Sequence, residues 1–379
     1  KSVEGVIPGL PLYFATAMPS KGGAIPLLAE THQGRPTKLE GNPSYAPYGG
    51  GSTILAQASV LDLYDPDRST THTVKGTAVD AAAINAVLAD ISRSYGTNGG
   101  AGLAFLVDES TSPTRAALAA RLRTRYPRAI WSVYEATSNE ASVEAGRAVF
   151  GGDVKPIYRF DRAKRVLSID SDFLHSEAHS LAYARDFAKA RRVIKPTDPM
   201  NRLYAVESNL TLTGSMADHR LRLASSHMLG FAAALAQAVT GDASFAPLAA
   251  GIDFKEKAKW LAAAAKDLND HRGACVVVAG AHLPPSVHSI VHALNAALGN
   301  IGSTVDFVTV PSQGAAPAPI ADLVSAMKGG SIRTLVIVNG NPVYNAPADL
   351  DFKDALKSVA NVIRYGYYAD ETSQAASTH

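Results

Sequence analysis

Two pairs of histidines have the i, i+4 spacing at which one helix face can present two imidazoles to a metal ion. They are His175 with His179, and His288 with His292. A zinc protease motif places glutamate directly after the first histidine, whereas serine follows it in both pairs, and no third ligand is evident. We therefore expect surface or supporting histidines and predict no metal site. Zinc-dependent hydrolysis through the segment HSEAH stays a weaker alternative.

Two aspartates follow an apolar run at residues 166–169 that is typical of a buried strand, namely Asp170 and Asp172. Ligands of parallel α/β sheets bind at the carboxyl ends of the strands, so this pair could accept hydrogen bonds from a guanine edge or a ribose. Capping of a following helix is the commoner use of such residues. The turn Gly280-Ala281-His282, after another apolar run, is a weak substitute for a dinucleotide-binding glycine motif.

A second apolar run, at residues 335–338, stops abruptly in Asn339-Gly340-Asn341-Pro342. This pattern predicts a strand buried on both faces that ends in a tight loop. Such a loop suits a nucleotide-sized group lying against the backbone, and it equally suits a turn that binds nothing. Both readings stay open at this point.

The composition is that of a soluble globular protein, since 46% of the 379 residues are hydrophobic and 18% are charged. A net charge of +2 without a dense basic block argues against nucleic acid or anionic membrane as the main partner. The longest apolar run, residues 228–239, is too short to cross a bilayer. Cys275 is the only cysteine, and we expect a buried, inert thiol that cannot by itself hold an iron–sulfur cluster.

Strand and helix patterns alternate after an irregular beginning, which predicts an α/β fold with two doubly wound, mainly parallel sheets and a small irregular N-terminal β lobe. We expect a hairpin and loop lobe over residues 1–69, a first α/β lobe from residues 70–128 with 311–379, and a second from residues 129–310. Helices are predicted from Asp80, from Ser112, over residues 221–239 and from Pro284-Pro285, the last with an apolar stripe from Val287 to Leu298. Strands are predicted over residues 103–107 and 305–310. The chain begins without methionine, so we expect a fragment of a longer protein.

Several segments along the chain resemble the molybdopterin oxidoreductase superfamily, and more closely the molybdopterin-like half of the B subunit of alternative complex III, a quinol-oxidising membrane complex of bacteria. The segments are PLYFATAMP (11–19), HQGRPTKLEGNP (32–43), QASVLDLYDPDR (57–68), VLSIDSDFL (166–174), YARDFAKARR (183–192), ESNLTLTGSMADHR (207–220), LVIVNGNPVY (335–344) and YGYYADET (365–372). The resemblance implies the fold of formate dehydrogenase and DMSO reductase.

The departures from the family pattern concern its redox centres. Catalytic members carry cysteines for a [4Fe-4S] cluster near the start of the chain, where this sequence has none and shows only Ala56 and Gln57 near the last ligand position. The region matching the molybdenum ligand, residues 134–141, offers only Glu135, Thr137 and Ser138. We therefore expect neither cluster nor molybdenum in this fragment.

The resemblance then implies a cofactor-free scaffold on the periplasmic side of the bacterial inner membrane. Its partners would be other subunits of the respiratory complex and a ferredoxin-like domain, beyond this sequence, that carries the iron–sulfur clusters. Asp172, Gly340 and Asn341 would be the vestige of a pterin-nucleotide pocket. The alternative is a working oxidoreductase that binds molybdopterin guanine dinucleotide through the same three residues.

Overall fold

A computed structural model describes residues 5–20, 23–138, 140–250, 257–310 and 317–379. The chain divides into two compact units. The first unit comprises Lys1–Gln57 and Asn139–Ser312, and the second comprises Ala58–Ser138 and Gln313–His379. The three-lobe division drawn from the sequence stays a prediction.

The strands of the described residues are, in chain order, β1 Leu12–Ser20, β2 Gly23–His32, β3 Arg35–Gly41, β4 His72–Val74, β5 Thr77–Val79, β6 Leu103–Val107, β7 Ile130–Val133, β8 Val154–Tyr158, β9 Arg165–Ile169, β10 Arg202–Glu207, β11 His219–Arg222, β12 Cys275–Ala279, β13 Val305–Thr309, β14 Thr334–Val338 and β15 Asn361–Tyr365. The α-helices of the same residues are α1 Ile54–Ala58, α2 Ala81–Gly96, α3 Pro113–Arg125, α4 Glu140–Phe150, α5 Ser180–Ala190, α6 Leu212–Ser215, α7 Met228–Thr240, α8 Ala246–Ala249, α9 Ala258–Asn269, α10 Pro285–Ala297, α11 Ile320–Lys328, α12 Pro342–Asn345, α13 Phe352–Leu356 and α14 Glu371–Ala375. The fold is therefore mixed α/β, as the alternating patterns predicted.

The first unit begins with an antiparallel sheet in the order β1-β2-β3. Alternate residues of β2 are buried, among them Ile25 and Leu27, which pack with Ala56 of α1. This alternation is the pattern of a sheet with one face on a core. The expected hairpins of the N-terminal region are confirmed.

A four-stranded parallel sheet in the order β11-β10-β9-β12 forms the centre of the first unit. One face packs on α7, α9 and α10, and the other on an aromatic cluster that includes Phe160, Phe173 and Phe187. The chain runs from β9 through β10 to β11 on one side and then returns to place β12 on the other side of β9. The strand order thus reverses between β9 and β12, which is where ligands bind in doubly wound sheets.

The second unit has its own parallel sheet, in the order β15-β14-β6-β7, with helix α3 between β6 and β7 along the chain. Its largest core cluster includes Leu335, Ile337 and Phe352. Here the strand order reverses between β6 and β14. The carboxyl end of β14, which the sequence singled out, therefore lies at the switch point of this sheet.

The N-cap residues predicted from the sequence agree with the observed first residues of α2 and α3. The carboxylate of Asp80 accepts a hydrogen bond from the amide of Ala83 at 2.9 Å and caps α2, and Ser112 caps α3 through the amide of Arg115. The apolar stripe predicted for α10, from Val287 to Leu298, is buried. No helix of the described ranges combines the length and apolar character needed to cross a membrane.

Two predicted elements differ in detail from the structure. The helix expected over residues 221–239 begins only at Met228, because residues 219–222 form the edge strand β11 beside β10. The strand predicted over residues 305–310 is present as β13, but it lies outside the parallel sheets, since it pairs antiparallel with β8, which the sequence analysis had not identified. Pro156 within β8 weakens a strand pattern but is tolerated in a ribbon of two edge strands.

Candidate functional site

The carboxylate of Asp170 lies at the switch point of the first unit, directly after β9. Its Oδ1 accepts hydrogen bonds from the amide of Ser208 at 2.8 Å and from the Ser208 hydroxyl at 3.1 Å. Its Oδ2 accepts from the Ser225 hydroxyl at 2.9 Å and contacts Nε2 of His282 at 3.2 Å. The acceptor positions of this carboxylate are thus engaged within the protein.

The surroundings of Asp170 and His282 shift the pKa values of both side chains. Burial alone would raise the pKa of Asp170, but the hydrogen bonds from His282, Ser208 and Ser225 outweigh it and hold the pKa below its ordinary value. The hydrogen bond to Asp170 in turn raises the pKa of His282. The imidazole of His282 therefore favours its protonated form, and the rest of its ring is exposed to solvent.

The turn Gly280-Ala281-His282 reaches Asp170 because Gly280 has no side chain. The amide of Gly280 donates to the carbonyl of Ile169 at 2.9 Å. A Cβ at Gly280 would lie 2.1 Å from the carbonyl oxygen of Asp170, which leaves no room for another residue. Two candidates that the sequence offered separately, the acidic pair and this turn, are thus brought together.

Asp172 is occupied in a different way. Its Oδ1 accepts from the amide of Thr213 at 3.0 Å and from the Thr213 hydroxyl at 2.8 Å, while that hydroxyl accepts from the amide of Leu174. The N-cap residue of α5, the next helix along the chain, is His179, and that of α6 is Thr211. The capping role considered for Asp172 is therefore wrong, and this residue instead binds the first turn of α6 from the loop after β9.

Glu207 is a buried acidic residue that the sequence analysis missed. It ends β10 and pairs with Nε of Arg220 at 2.5 Å and with the Thr211 hydroxyl at 2.6 Å. Its position after an apolar run is the same signal that identified Asp170. A Cβ at Gly214 would overlap its carboxylate, so this glycine leaves room for the ion pair.

The two histidine pairs differ from expectation. His175 and His179 do not share a helix face, since His179 has φ 64° and stands before the first residue of α5. His288 and His292 do share one helix, α10, and they are 3% and 2% exposed, so of the two expected locations, surface or supporting, the surface one does not apply to them. Burial lowers the pKa of each to about 4, and neither Nε2 has a hydrogen-bond partner among the described residues. No group of three potential ligands is assembled in the part of the chain that the structure describes.

Gly340 and Asn341 line a small cleft of about 10 Å³ at the switch point of the second unit, together with Asp108, Glu135 and other residues at the ends of β6, β7 and β14. Oδ1 of Asn341 accepts from the Thr372 hydroxyl at 2.7 Å, and its Nδ2 donates to Glu371 at 2.7 Å. These bonds tie the loop after β14 to α14. The predicted residues Gly340 and Asn341 therefore line a shallow cleft, and the side-chain amide of Asn341 is already hydrogen-bonded to α14.

These surroundings do not fit a pterin dinucleotide in either unit taken by itself. The cleft encloses about 10 Å³, roughly the space of one water molecule, far below the about 300–1,000 Å³ of typical small-molecule sites. Oδ1 of Asp172 already accepts two hydrogen bonds, so a guanine edge that used both oxygens of this carboxylate would have to displace Thr213. Asp172 lies in the first unit and Gly340 with Asn341 in the second, and each is described only within its own unit.

No protein-family model and no curated protein matches this sequence. Among solved structures, acetylene hydratase from Pelobacter acetylenicus is similar, with a TM-score of 0.60 and 12% identity over 96% of this chain and 60% of that chain. The formyltransferase/hydrolase complex FhcABCD from Methylorubrum extorquens, in complex with methylofuran, gives a TM-score of 0.49 and 17% identity over 77% of this chain and 80% of that chain. The first likeness concerns the fold, and this chain spans 60% of the length of acetylene hydratase.

Proposed function

We propose that this chain is a molybdopterin oxidoreductase-type domain that has lost its redox centres and serves as a scaffold for electron-transfer partners. The complex it fits best is a quinol-oxidising respiratory complex of the alternative complex III type. Its partners would be a cluster-bearing ferredoxin-like domain and other subunits on the periplasmic side of the bacterial inner membrane.

The fold supports the first part of this proposal. The likeness to acetylene hydratase, an enzyme of the molybdopterin type, extends over 96% of the chain. Two parallel sheets, each with a reversal of strand order, and a small antiparallel sheet at the N-terminus agree with the doubly wound architecture that the family resemblance implies.

The observation that carries the scaffold role is the internal use of the polar groups at the sheet ends. Asp170, Asp172 and Asn341 stand where doubly wound enzymes hold ligands, yet both carboxylate oxygens of Asp170, Oδ1 of Asp172 and Oδ1 of Asn341 already accept hydrogen bonds from neighbouring loops. These three side chains hold the sheet-end loops in place, and a surface that docks a partner needs rigid loops. A binding site, in contrast, requires free hydrogen-bonding groups that converge on the ligand.

Cysteine chemistry supports the same conclusion. The only cysteine, Cys275, is buried in β12, and burial raises the pKa of its thiol to about 11. Iron–sulfur clusters are held by thiolates, several at a time. Electron transfer in the assembled complex would therefore pass through the cofactors of its partners.

The test is a metal and pterin analysis of the chain produced in a host that makes molybdopterin guanine dinucleotide. A catalytic molybdoenzyme expressed in parallel serves as the positive control. We expect molybdenum, tungsten, iron and released pterin far below one per polypeptide. Stoichiometric molybdenum with pterin would establish the alternative, a working oxidoreductase.

A second experiment addresses the partners. The protein is tagged in its native host, solubilised from membranes in mild detergent and purified. We expect quinol-oxidising activity and cluster-bearing subunits to copurify with it. Recovery of the tagged protein without any such subunit would contradict the scaffold role.

A further inference from the structure

Two imidazoles of α10 are enclosed in the first unit with a ring nitrogen that nothing contacts. His288 and His292 are 3% and 2% exposed. Nε2 of each ring is buried and has no hydrogen-bond partner among the described residues. Buried polar atoms of native proteins are nearly always satisfied, so each exception calls for a partner that the chain itself does not supply. Two such atoms in one helix indicate a ligand that both rings share.

The spacing of the two residues suits a shared ligand. Both lie in α10, which spans Pro285–Ala297, and they are four positions apart. Residues at this spacing are neighbours on one helix face, and histidines that are separated by three residues are a recurrent pair of metal ligands. The second pair of the sequence, His175 with His179, does not share a helix and therefore lacks this arrangement.

Both imidazoles can act as ligands at neutral pH. Burial, and after it the neighbouring charge of His292, lowers the pKa of His288 to about 4. Burial lowers the pKa of His292 to about 4 as well. A neutral imidazole has one nitrogen with a free lone pair, and this neutral form is the one that binds metal ions. Protons therefore compete with a bound cation only near pH 4.

The surroundings of the pair determine which ion fits. The rings of Phe150 and Phe307 pack against His292, with centroids at 5.5 Å and 5.3 Å from its own. Among the described residues, no third His, Cys, Asp or Glu joins the pair in a cluster of three. Zn²⁺ takes four ligands, and its double charge is costly in apolar surroundings. Cu⁺ has a single charge, accepts two ligands in a line and binds imidazole.

We propose that His288 and His292 bind one Cu⁺ ion through their Nε2 atoms, next to the rings of Phe150 and Phe307. The ion satisfies both buried nitrogens at once. Aromatic faces attract a cation, so the two phenyl rings reduce the cost of enclosing the charge. This inference is independent of the proposed function, because it uses contacts within the first unit and no group at the ends of the sheets.

A competition titration tests the site. The full chain is titrated with Cu⁺ under argon, with ascorbate present, against the coloured Cu⁺ chelator bathocuproine disulfonate. We expect the native chain to bind one ion. His288→Phe and His292→Phe each remove one ligand and keep an aromatic ring, and we expect more than about ten-fold weaker binding, since changes beyond the ligands alone cost about 10–100-fold in metal affinity. Equal uptake by the native chain and both variants would overturn the proposal.

Two matched controls separate this site from other copper ligands. His175→Phe removes an exposed histidine of the other pair, and Cys275→Ala removes the only thiol, which is buried in β12. Both variants should bind Cu⁺ as the native chain does. Circular dichroism establishes that all four variants are folded. A loss of binding in either control that equals the loss in His292→Phe would contradict the assignment.

X-ray absorption of the loaded native chain supplies a measurement that needs no variant. The copper edge should show Cu⁺ with two nitrogen neighbours and no sulfur neighbour. The loaded chain should also keep its copper when it is dialysed against excess Zn²⁺. A sulfur neighbour, four-coordinate copper, or displacement of the copper by Zn²⁺ would refute a two-imidazole Cu⁺ site.

Discussion

Asp170 joins the ends of several strands through one side chain. It adopts φ 48°, in the left-handed region, so its backbone turns sharply out of β9. Its carboxylate then holds Ser208 after β10, Ser225 after β11 and His282 after β12. A single residue therefore connects the loops that follow every strand of this parallel sheet.

Replacing Asp170 by asparagine tests this role. The amide would turn a donor toward groups that donate, and we expect a loss of about 3 kcal/mol in the free energy of unfolding, as for a broken buried network around a charged group. The pKa of His282 should fall because the main cause of its increase, the hydrogen bond to Asp170, is lost. Urea unfolding and NMR titration of the imidazole measure the two effects.

The matched control is Asp161→Asn, on an exposed turn near β9. It should change the free energy of unfolding by less than about 0.5 kcal/mol, as surface substitutions usually do. An unchanged His282 pKa in the Asp170 variant would show that the pair does not exist in solution.

At the scale of one element, α10 shows how a helix can be buried on more than its predicted face. Its apolar stripe packs in the core with β12 and α7. The imidazole of His292 packs against the rings of Phe150 and Phe307, at 5.5 Å and 5.3 Å from their centroids, and these two rings also contact each other. The ring is therefore neutral and enclosed by apolar groups, which is costly once it must take up a proton.

We predict an acid-dependent loss of stability from this enclosure. The pKa of His292 is lowered from 6.5 to about 4, so between these values the unfolded chain binds a proton that the folded chain does not. Above pH 6.5 this histidine does not lower the free energy of unfolding. As the pH drops from 6.5 to 4, the free energy of unfolding falls by on the order of 3 kcal/mol because of it. Urea unfolding across this range measures it.

His292→Phe is the comparison variant, since another aromatic ring can pack against Phe150 and Phe307. The difference in unfolding free energy between native and variant should change by on the order of 3 kcal/mol between pH 6.5 and pH 4, and then stay level. Parallel pH profiles for the two proteins would show that His292 titrates normally. The pKa of His288 is also lowered to about 4, chiefly by burial and in part by His292, so the variant removes this second effect as well and the difference between the profiles includes it.

At the scale of the whole molecule, the chain forms two units with separate cores, and each unit contains one tryptophan. Trp260 packs against Tyr204 and Phe231 in the first unit. Trp131 packs against Phe105 in the second unit. Since domains with their own cores can unfold separately, the two side chains report on different transitions.

We predict that the first unit withstands more urea than the second, because the larger unit buries a greater share of its surface. Trp131→Phe leaves Trp260 as the reporter of the first unit, and Trp260→Phe leaves Trp131 for the second. The fluorescence midpoint should lie at higher urea for Trp260. Reaction of Cys275 with a thiol reagent should follow the Trp260 transition, since this thiol is buried in the same unit. Equal urea midpoints for the two tryptophans would show that the two units do not unfold separately.

Short-range signals in the sequence were sufficient for many elements. The cap at Asp80, the start of α3 at Ser112 and Pro113, the run that became β6 and the stripe of α10 all depend on neighbours within about four residues. The same holds for the loop at Gly340 and Asn341, where an apolar run stops. Side-chain periodicity encodes such features directly, since it is set by the geometry of one helix turn or one strand.

Long-range pairing was beyond the reach of periodicity. The bond between Asp170 and His282 spans 112 positions and exists because β12 inserts beside β9 rather than beside β11. The antiparallel ribbon of β8 and β13 and the edge strand β11 follow from pairing partners distant in the chain. Strand order and burial arise from hydrogen bonds and packing between elements, which no local pattern records. These long-range contacts brought Asp170 and His282 together and buried His288 and His292.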